Sequence, residues 1–498
     1  MREAALRMDA ETFRSLGHRL VDQIAGYLDA IPSGPVTRNE SPAEVREALD
    51  LTGPLPESGM DAAPLLERTA QLLFEHSLFN AHPRFFGYIS GSPSPIGMLG
   101  ELLASAVNPN VGARALSPAA TEIEVQTVRW LAEFIGYPAH AGGLLVSGGN
   151  MANFVGFLAA RAAKAGGNVR EHGVAVAGRP LRVYTSTEAH TWVQKAADMT
   201  GLGTAAIRWI PTDARLRLDV VALRRQIEAD AAADDVPLIV VATAGSISTG
   251  AVDPLPDIAA VCQELGVWFH VDGAYGGFAA AVPDAPEDLR ALAGADSVAV
   301  DPHKWLYAPL EAGCALVRDA DALRAAFAYH PPYYHFNQER ATNYVDYGPQ
   351  NSRGFRALKV WLALRHAGAA GYRQAIADDI RLSRAMADAV ASHREFELLT
   401  QSLSITTFRY VPPDLRSTLN EPAVQRHLDA LNRELLDRLQ RGGELFVSNA
   451  VIGGRYALRA CIVNFHTTAA DVAAVPEIAA RVGRAVDAEL RQANSELR

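Results

Sequence analysis

The sequence predicts an α/β protein with a mostly parallel sheet covered by helices, a smaller C-terminal α+β domain and an N-terminal helical arm. Between about residues 82 and 370, short and nearly continuous apolar runs alternate with helical segments, as parallel strands buried on both faces do. The clearest runs cover residues 143–146, 181–185, 206–210, 237–243, 267–271 and 297–300. Polar residues stand at their ends, and these are Ser147, Thr185, Thr243, Asp272 and Asp301. A functional site is therefore expected at the carboxyl edge of the sheet.

The helical arm is predicted for residues 1–81. Phe13, Leu16 and Leu20 recur at helical spacing within 9–31, before a Pro-Ser-Gly-Pro break. Further helices are expected to begin at Pro42 and to cover about 60–79. An arm with such breaks buries little surface alone, so we expect it to pack on another subunit or on the main domain.

The two remaining predicted domains divide at residue 371. Residues 82–371 form the large α/β domain, which ends in a helix over 357–371. Residues 372–498 form the smaller α+β domain, with strands expected at 403–410, 444–448 and 456–464.

The composition excludes several classes of protein. The 498 residues are 49% hydrophobic and 20% charged, which is typical of a globular protein. The net charge of −10 gives a nucleic-acid partner no electrostatic support. Three cysteines without a CxxC pair favour a reducing cytoplasm, and the charged N-terminus does not resemble a signal peptide. No apolar run is long enough to predict a membrane span.

Lys304 is the first candidate catalytic residue. It follows the apolar run at 297–300 and stands between His303 and Trp305. Most lysines at strand ends are ordinary surface residues, but these neighbours predict a half-buried pocket. Burial favours the neutral amine that attacks an aldehyde.

Asp272 ends the preceding apolar run, in His-Val-Asp-Gly-Ala-Tyr. Such an aspartate can simply cap a turn or a helix. Its carboxylate can instead pair with a protonated pyridine nitrogen. An aldehyde-binding lysine and a pyridinium-binding aspartate are together what pyridoxal-phosphate chemistry requires.

An anion site is predicted at Gly148, Gly149 and Asn150, which link a strand to a helix. A plain tight turn is the alternative, and the spacing is not that of the nucleotide-binding motifs. No zinc or calcium motif occurs, so no metal is expected.

His190 follows a strand end and either stacks on a pyridine ring or is structural. The segment 328–349 is either a surface loop or a mobile lid whose tyrosine, Tyr333 or Tyr334, donates a proton.

The sequence resembles the group II pyridoxal-phosphate-dependent amino-acid decarboxylases from about residue 10 to 480. The motifs that carry the resemblance are His-Pro-Arg-Phe-Phe-Gly-Tyr at 82–88, Ser-Pro-Ala-Ala-Thr-Glu-Ile-Glu at 117–124, His-Val-Asp-Gly-Ala-Tyr at 270–275 and Asp-Pro-His-Lys-Trp at 301–305. The resemblance implies the fold-type I pyridoxal-phosphate transferase architecture, which is aspartate-aminotransferase-like. It also implies a homodimer with its active site at the interface and the helical arm packed on the partner.

The resemblance assigns roles to individual residues. Lys304 is implied as the Schiff-base lysine, Asp272 as the pyridinium partner, and His190 and Ala274 as residues on opposite faces of the ring. The other implied cofactor-binding residues are Gly148, Gly149, Asn150, His303 and Thr243. The implied substrate-binding residues are Tyr88, Phe86 and Ser352. Tyr333 is implied as the proton donor, and it favours plain decarboxylation because related aldehyde synthases carry phenylalanine there.

The expected reaction is decarboxylation of an aromatic L-amino acid of the tyrosine, phenylalanine, tryptophan or DOPA type, giving the amine and carbon dioxide. Aromatic side chains near the motifs support it, but Ile247, Ile89-Ser90 and Ser352 depart from the family pattern and leave the substrate open. A glutamate, 2,4-diaminobutyrate or histidine type of substrate is the first alternative, with Arg353 or Arg356 as a possible clamp for an acidic side chain. An aldehyde synthase or another lyase, and an inactive homologue acting as a binding protein, are the others.

Overall fold

The computed structural model describes residue 4 and residues 6–330 and 341–493. Its main sheet contains β1 (Gly142–Val146), β2 (Leu181–Ser186), β3 (Ile207–Ile210), β4 (Val236–Thr243), β5 (Trp268–Asp272), β6 (Ser297–Val300) and β7 (Gly313–Val317). The strand order is β1-β7-β6-β5-β4-β2-β3, and β7 runs antiparallel to both neighbours. The predicted mostly parallel sheet is confirmed, whereas β7 was not among the predicted strands.

Helices cover both faces of this sheet. The helices of the described chain are α1 (Ala10–Ala30), α2 (Pro42–Ala48), α3 (Ala62–Glu75), α4 (Pro95–Val107), α5 (Pro118–Phe134), α6 (Gly149–Lys164), α7 (Val169–His172), α8 (Trp192–Met199), α9 (Val220–Ala232), α10 (Leu255–Leu265), α11 (Pro302–Trp305), α12 (Ala320–Phe327), α13 (Ala357–Ser392), α14 (Pro422–Arg441) and α15 (Ala469–Ala493). None of those within the described ranges has the length and apolar character needed to cross a bilayer.

The core of the large domain forms two apolar layers because side chains alternate along each strand. In β4, Val240 and Ala242 join the layer that contains Leu131 of α5 and Ile258 of α10. The intervening Ile239 and Val241 join the other layer, against α6, α8 and α12. Both faces of the strands are thus covered, and their carboxyl ends remain free to build a site.

Helix α1 of the N-terminal arm contacts mainly α3, whereas Val36 holds the arm to the rest of the chain by packing with Phe85 and Phe446. Asp9 caps α1 by accepting from the backbone N–H of Thr12 at 2.8 Å. Within α1 only Leu16 is buried, and α1 meets α3 through stacking of Tyr27 on Phe74, with ring centroids 4.4 Å apart. Apolar side chains on the arm therefore stay exposed, among them Phe13.

The C-terminal region contains an antiparallel sheet in the order β10-β11-β9-β8. Its strands are β8 (Phe396–Ser402), β9 (Ile405–Tyr410), β10 (Ser448–Ile452) and β11 (Arg455–Cys461). The strand predicted at 444–448 begins later, at Ser448, and the half-exposed β8 was not predicted. The predicted division at residue 371 falls within α13, shortly after its internal break at Gly368, where φ is +67°.

Candidate active site

A cavity of about 570 Å³ lies at the carboxyl edge of the main sheet. Ten of the residues singled out from the sequence line it, and these are Tyr88, Gly148, Gly149, Asn150, His190, Thr243, Asp272, Ala274, His303 and Lys304. Residues distant in sequence meet there because consecutive strands end at the same edge.

Lys304 reaches the cavity from α11, which begins just after β6. Its Nζ lies 2.9 Å from Oδ2 of Asp301, and the lysine side chain is 22% exposed while the aspartate is buried. The second oxygen of Asp301, Oδ1, is buried without a hydrogen-bond partner. The amine is therefore held by a counter-ion and remains reachable from the cavity.

Asp272 ends β5 with both carboxylate oxygens engaged by the protein. Oδ2 accepts a hydrogen bond from the indole Nε1 of Trp192 at 2.7 Å, and Oδ1 accepts from the backbone N–H of Ala274 at 3.1 Å. Each oxygen retains a further lone pair, so the carboxylate can accept a hydrogen bond from a group in the cavity.

His190 is oriented by the chain that follows it. Its Nδ1 accepts a hydrogen bond from the backbone N–H of Trp192 at 3.2 Å. Burial lowers the pKa of His190 below its ordinary value, and the nearby Asp272 opposes that shift only in part. The ring is thus neutral near pH 7, with its proton on Nε2.

The glycines after β1 leave space that a side chain would fill. Gly148 has φ of +121°, and a Cβ on Gly149 would lie 2.6 Å from Oδ2 of Asp301 and 3.0 Å from Cβ of Ala274. Gly313 of β7 approaches so closely that its Cβ would lie 2.5 Å from the carbonyl carbon of Gly148. Gly148 and Gly149 stand at the start of α6, whose first N–H groups and dipole favour an anion.

His303 lies beside this glycine turn. Its Nδ1 donates to the carbonyl oxygen of Ala312 at 2.7 Å, and burial lowers the pKa of the ring. A neutral His303 therefore presents Nε2 as an acceptor near Gly148.

Together these groups fit pyridoxal phosphate. Lys304 offers an amine for the aldehyde, Asp272 an acceptor for the pyridinium N–H, and the glycine turn an anion site for the phosphate. Oδ1 of Asp301 is still without a donor, and Gly149 packs too closely against Asp301 and Ala274 to be replaced by a residue with a side chain. The fit rests on the chemistry of the residues present.

The remaining wall of the cavity combines apolar side chains with one arginine. Tyr88, Ile89, Ile247 and Leu310 line it, and Tyr88 is 56% exposed. Arg459 of β11 also lines the cavity although it is only 3% exposed. Its Nη1 donates to the Tyr88 carbonyl and to Ser448 Oγ, at 3.2 and 2.9 Å, whereas its Nε and Nη2 are buried without partners.

The proposed substrate contact of Phe86 is wrong. Phe86 is completely buried in the apolar core of the C-terminal region, with Phe408 and Leu458. Its backbone pairs with Phe446 and Cys461, which turns the side chain toward that core and away from the cavity.

One further predicted residue, Ser352, is not part of this wall. Ser352 is exposed and does not line the cavity of its own chain. Tyr333 lies outside the described residues, as does Tyr334.

The two arginines considered as a clamp have other partners. Arg353 is buried in an ion pair with Glu124, 2.5 Å between Nη2 and Oε1, and also donates to the carbonyl of Leu145. Arg356 Nε donates to Glu311 at 2.8 Å. Neither lines the cavity.

Sequence reasoning missed three residues of the site. Asp301 was noted at a strand end and within the Asp-Pro-His-Lys-Trp motif, but no role was assigned to it, although it stands three residues before Lys304. Trp192 stands two residues after His190 and has no motif of its own. Arg459 comes from the C-terminal sheet, and no local pattern connects it with the large domain.

Comparisons with known proteins identify the family of this chain. The family model described as the pyridoxal-dependent decarboxylase conserved domain matches residues 42–411. The aromatic-L-amino-acid decarboxylase of Bacillus atrophaeus is 34% identical over 93% of this chain and 94% of its own. The phenylacetaldehyde synthase of a Rosa hybrid cultivar is 31% identical over 91% of this chain and 90% of its own.

A solved structure gives the same result. The crystal structure of Oryza sativa TDC with PLP and tryptamine superposes with a TM-score of 0.88, at 29% identity, over 97% of this chain and 99% of that one. The predicted fold-type I architecture is confirmed. The chain therefore belongs to the pyridoxal-dependent decarboxylase family, and its cofactor is pyridoxal 5′-phosphate.

Proposed function

We propose that this decarboxylase acts on an aromatic L-amino acid and releases the corresponding amine and carbon dioxide. The observation that carries the proposal is the convergence of Lys304, Asp272, His190 and the glycine turn on one cavity with a largely apolar outer wall. An apolar wall favours an aromatic side chain over a charged one because burial of a charge without a partner is costly.

Bound pyridoxal phosphate supplies an electron sink for the electron pair left at the substrate Cα when the carboxylate leaves. Lys304 would hold the cofactor through its aldehyde group, which a neutral amine can attack. Asp272 would accept a hydrogen bond from the protonated pyridine nitrogen. Neutral His190 covers one side of the site, and Ala274, which is small enough to allow close approach, covers the other.

Tyr333 is proposed as the acid that delivers a proton to Cα after carbon dioxide has left. Its presence in the sequence favours plain decarboxylation over aldehyde formation. An aldehyde synthase is the rival for the same cofactor, and one relative is named as such. The nature of the product separates the two.

A second candidate substrate is an amino acid with an anionic side chain. The observation that favours it is Arg459, whose Nε and Nη2 lack partners although the residue is buried at the cavity wall. A carboxylate or sulfinate would provide the missing acceptors and neutralise the guanidinium.

A homodimer with the active site at the interface is part of the proposal. Exposed apolar residues support it, on the arm (Phe13, Leu65 and Leu73) and on α4 (Leu99, Leu102, Leu103 and Val107). The weak attachment of α1 and α3 to the rest of their own chain and the exposed Ser352 fit a partner surface. The three free, buried cysteines are consistent with a cytoplasmic location.

The experiment offers phenylalanine, tyrosine, tryptophan, DOPA, histidine, glutamate and 2,4-diaminobutyrate to the cofactor-loaded protein, with products read by mass spectrometry. We expect amine from an aromatic acid and none from the Lys304→Ala variant. Tyr333→Phe is the second variant, and it is expected to shift the product from amine toward aldehyde, with oxygen consumed and ammonia and hydrogen peroxide released. Amine from an acidic substrate alone would replace the aromatic assignment with the second candidate, and aldehyde from the unaltered protein would replace it with the synthase.

A further inference from the structure

We propose that Trp192 is a positioning residue that sets Asp272 and His190 at the same time. The proposal concerns how the protein binds its cofactor and does not depend on which amino acid is decarboxylated. It rests on two hydrogen bonds from one residue, one from its side chain and one from its backbone, to the two residues that bracket the pyridine position.

The side chain acts on Asp272. The indole Nε1 donates to Oδ2 at 2.7 Å, in a wholly buried environment. The other oxygen has only a backbone donor, Ala274 N–H at 3.1 Å. Indole is a donor without acceptor capacity, so this hydrogen bond fixes the plane of the carboxylate.

The backbone acts on His190. The N–H of Trp192 donates to Nδ1 at 3.2 Å, which places the proton of the neutral ring on Nε2. The same residue therefore defines the orientation of the carboxylate and the tautomer of the imidazole. A rigid Trp192 holds both groups in one relative position.

The indole is itself held from behind. Its ring meets His270 edge-on with centroids 5.7 Å apart, and Phe157 packs on it in the same manner at 6.4 Å. His270 is fully buried and is fixed by hydrogen bonds of 2.7 Å to Ser297 Oγ and to Asn153 Oδ1. The indole therefore cannot turn away from Asp272 without disturbing this packed layer.

The test removes the indole N–H and measures cofactor binding. Trp192→Phe keeps an aromatic ring but loses the donor to Asp272. Its matched control is Trp268→Phe, because Trp268 is also buried and donates its Nε1 at 2.8 Å, but to Ser297 Oγ and not to the carboxylate. Apo-protein of each variant is titrated with pyridoxal phosphate, and the visible absorbance of the bound cofactor is followed against pH.

We expect Trp192→Phe to weaken cofactor binding about tenfold, which corresponds to the loss of one hydrogen bond to a charged group. Its pH-dependent absorbance should shift, whereas Trp268→Phe should leave both readouts near those of the wild type. Equal effects of the two variants would mean a general packing role and would overturn the proposal, as would unchanged binding in Trp192→Phe.

Two further measurements keep the test decisive if Trp192→Phe folds poorly. Incorporation of 3-benzothienylalanine at position 192 replaces the N–H by sulfur and preserves the bicyclic shape. A double-mutant cycle with Asp272→Asn then asks whether the two residues act together. We expect the change at 192 to have little effect once Asp272 is asparagine, and full additivity would contradict the proposed coupling.

Discussion

The Nζ of Lys304 lies 2.9 Å from Oδ2 of Asp301, and the other oxygen of that buried carboxylate has no hydrogen-bond partner. The two residues are three positions apart, on either side of the start of α11. The pairing holds the amine beside the glycine turn, because Oδ2 of Asp301 would also be the nearest atom to a Cβ on Gly149, at 2.6 Å.

Replacing Asp301 by asparagine should therefore lower both cofactor occupancy and turnover. The neutral amide removes the counter-ion of Lys304 and keeps the size of the side chain. We expect kcat to fall about tenfold or more. The measurements are the visible absorbance of the bound cofactor and steady-state kinetics.

A matched control for that variant is Asp471→Asn. Asp471 forms an ion pair with Arg84 at 3.2 Å, outside the cavity. The Asp471→Asn variant should have a kcat close to the wild-type value. Equal losses in the two variants would argue that Asp301 contributes only to stability.

His270 should make the protein less stable in acid. Burial lowers its pKa to about 4, whereas in the unfolded chain it titrates near 6.5. As the pH falls from 6.5 toward 4, the unfolded chain takes up the proton first, so the free energy of unfolding decreases.

His270→Gln should accordingly show a shallower dependence of Tm on pH in that range than the wild type. The control variant is His172→Gln, which changes an exposed histidine on α7. Parallel curves for His270→Gln and the wild type would show that His270 does not titrate as we expect.

Asp379 should have the opposite pH dependence. Burial raises its pKa to about 7, although its Oδ2 accepts from Trp305 Nε1 at 2.9 Å and from the Tyr307 hydroxyl at 2.7 Å. Between about pH 4 and 7 the unfolded chain has already lost this proton and the folded chain keeps it, so stability decreases as the pH rises.

Asp379→Asn preserves an acceptor oxygen and should gain stability relative to the wild type as the pH is raised from 5 to 8. Asp379→Ala leaves the indole N–H and the phenol without an acceptor and should lose about 1–3 kcal/mol throughout. Urea unfolding at several pH values distinguishes these outcomes. A wild type and Asp379→Asn that respond identically to pH would refute the expected titration.

The kinetic effect of replacing Arg459 should depend on the class of the substrate. Arg459→Met loses the Nη1 hydrogen bonds to Tyr88 and Ser448, preserves much of the packing, and removes the two unpartnered nitrogens. With an aromatic substrate that does not use them, we expect KM to change less than about threefold, whereas an acidic substrate should lose about a hundredfold in kcat/KM. Arg459→Lys keeps the charge and should restore part of any loss. A hundredfold loss with an aromatic acid would assign Arg459 to a group that all amino acids share.

Much of this site could be predicted from the sequence because local patterns encode it. Lys304, Asp272 and Gly148 each follow an apolar run, and consecutive parallel strands must end at one edge. The direction of the Phe86 side chain could not be predicted, because it depends on pairing with Phe446 and Cys461, far along the chain.

Arg459 and β7 were missed for related physical reasons. Arg459 reaches the cavity only because the C-terminal sheet packs beside the large domain, which no periodicity records. β7 is a short apolar run like its neighbours, and only its pairing with β1 and β6 reveals that it runs the other way.

The place of β7 also decides when the site can first exist. Gly142 pairs with Val317 and Val146 with Gly313, so the strand that carries the glycine turn has no neighbour in the sheet until β7 arrives. A chain still emerging from the ribosome would contain the turn at Gly148 before Gly313, which packs against that turn, has been made. The anion site for pyridoxal phosphate is therefore incomplete until residue 317 has been made, and a chain that ends earlier should lack the ability to bind the cofactor.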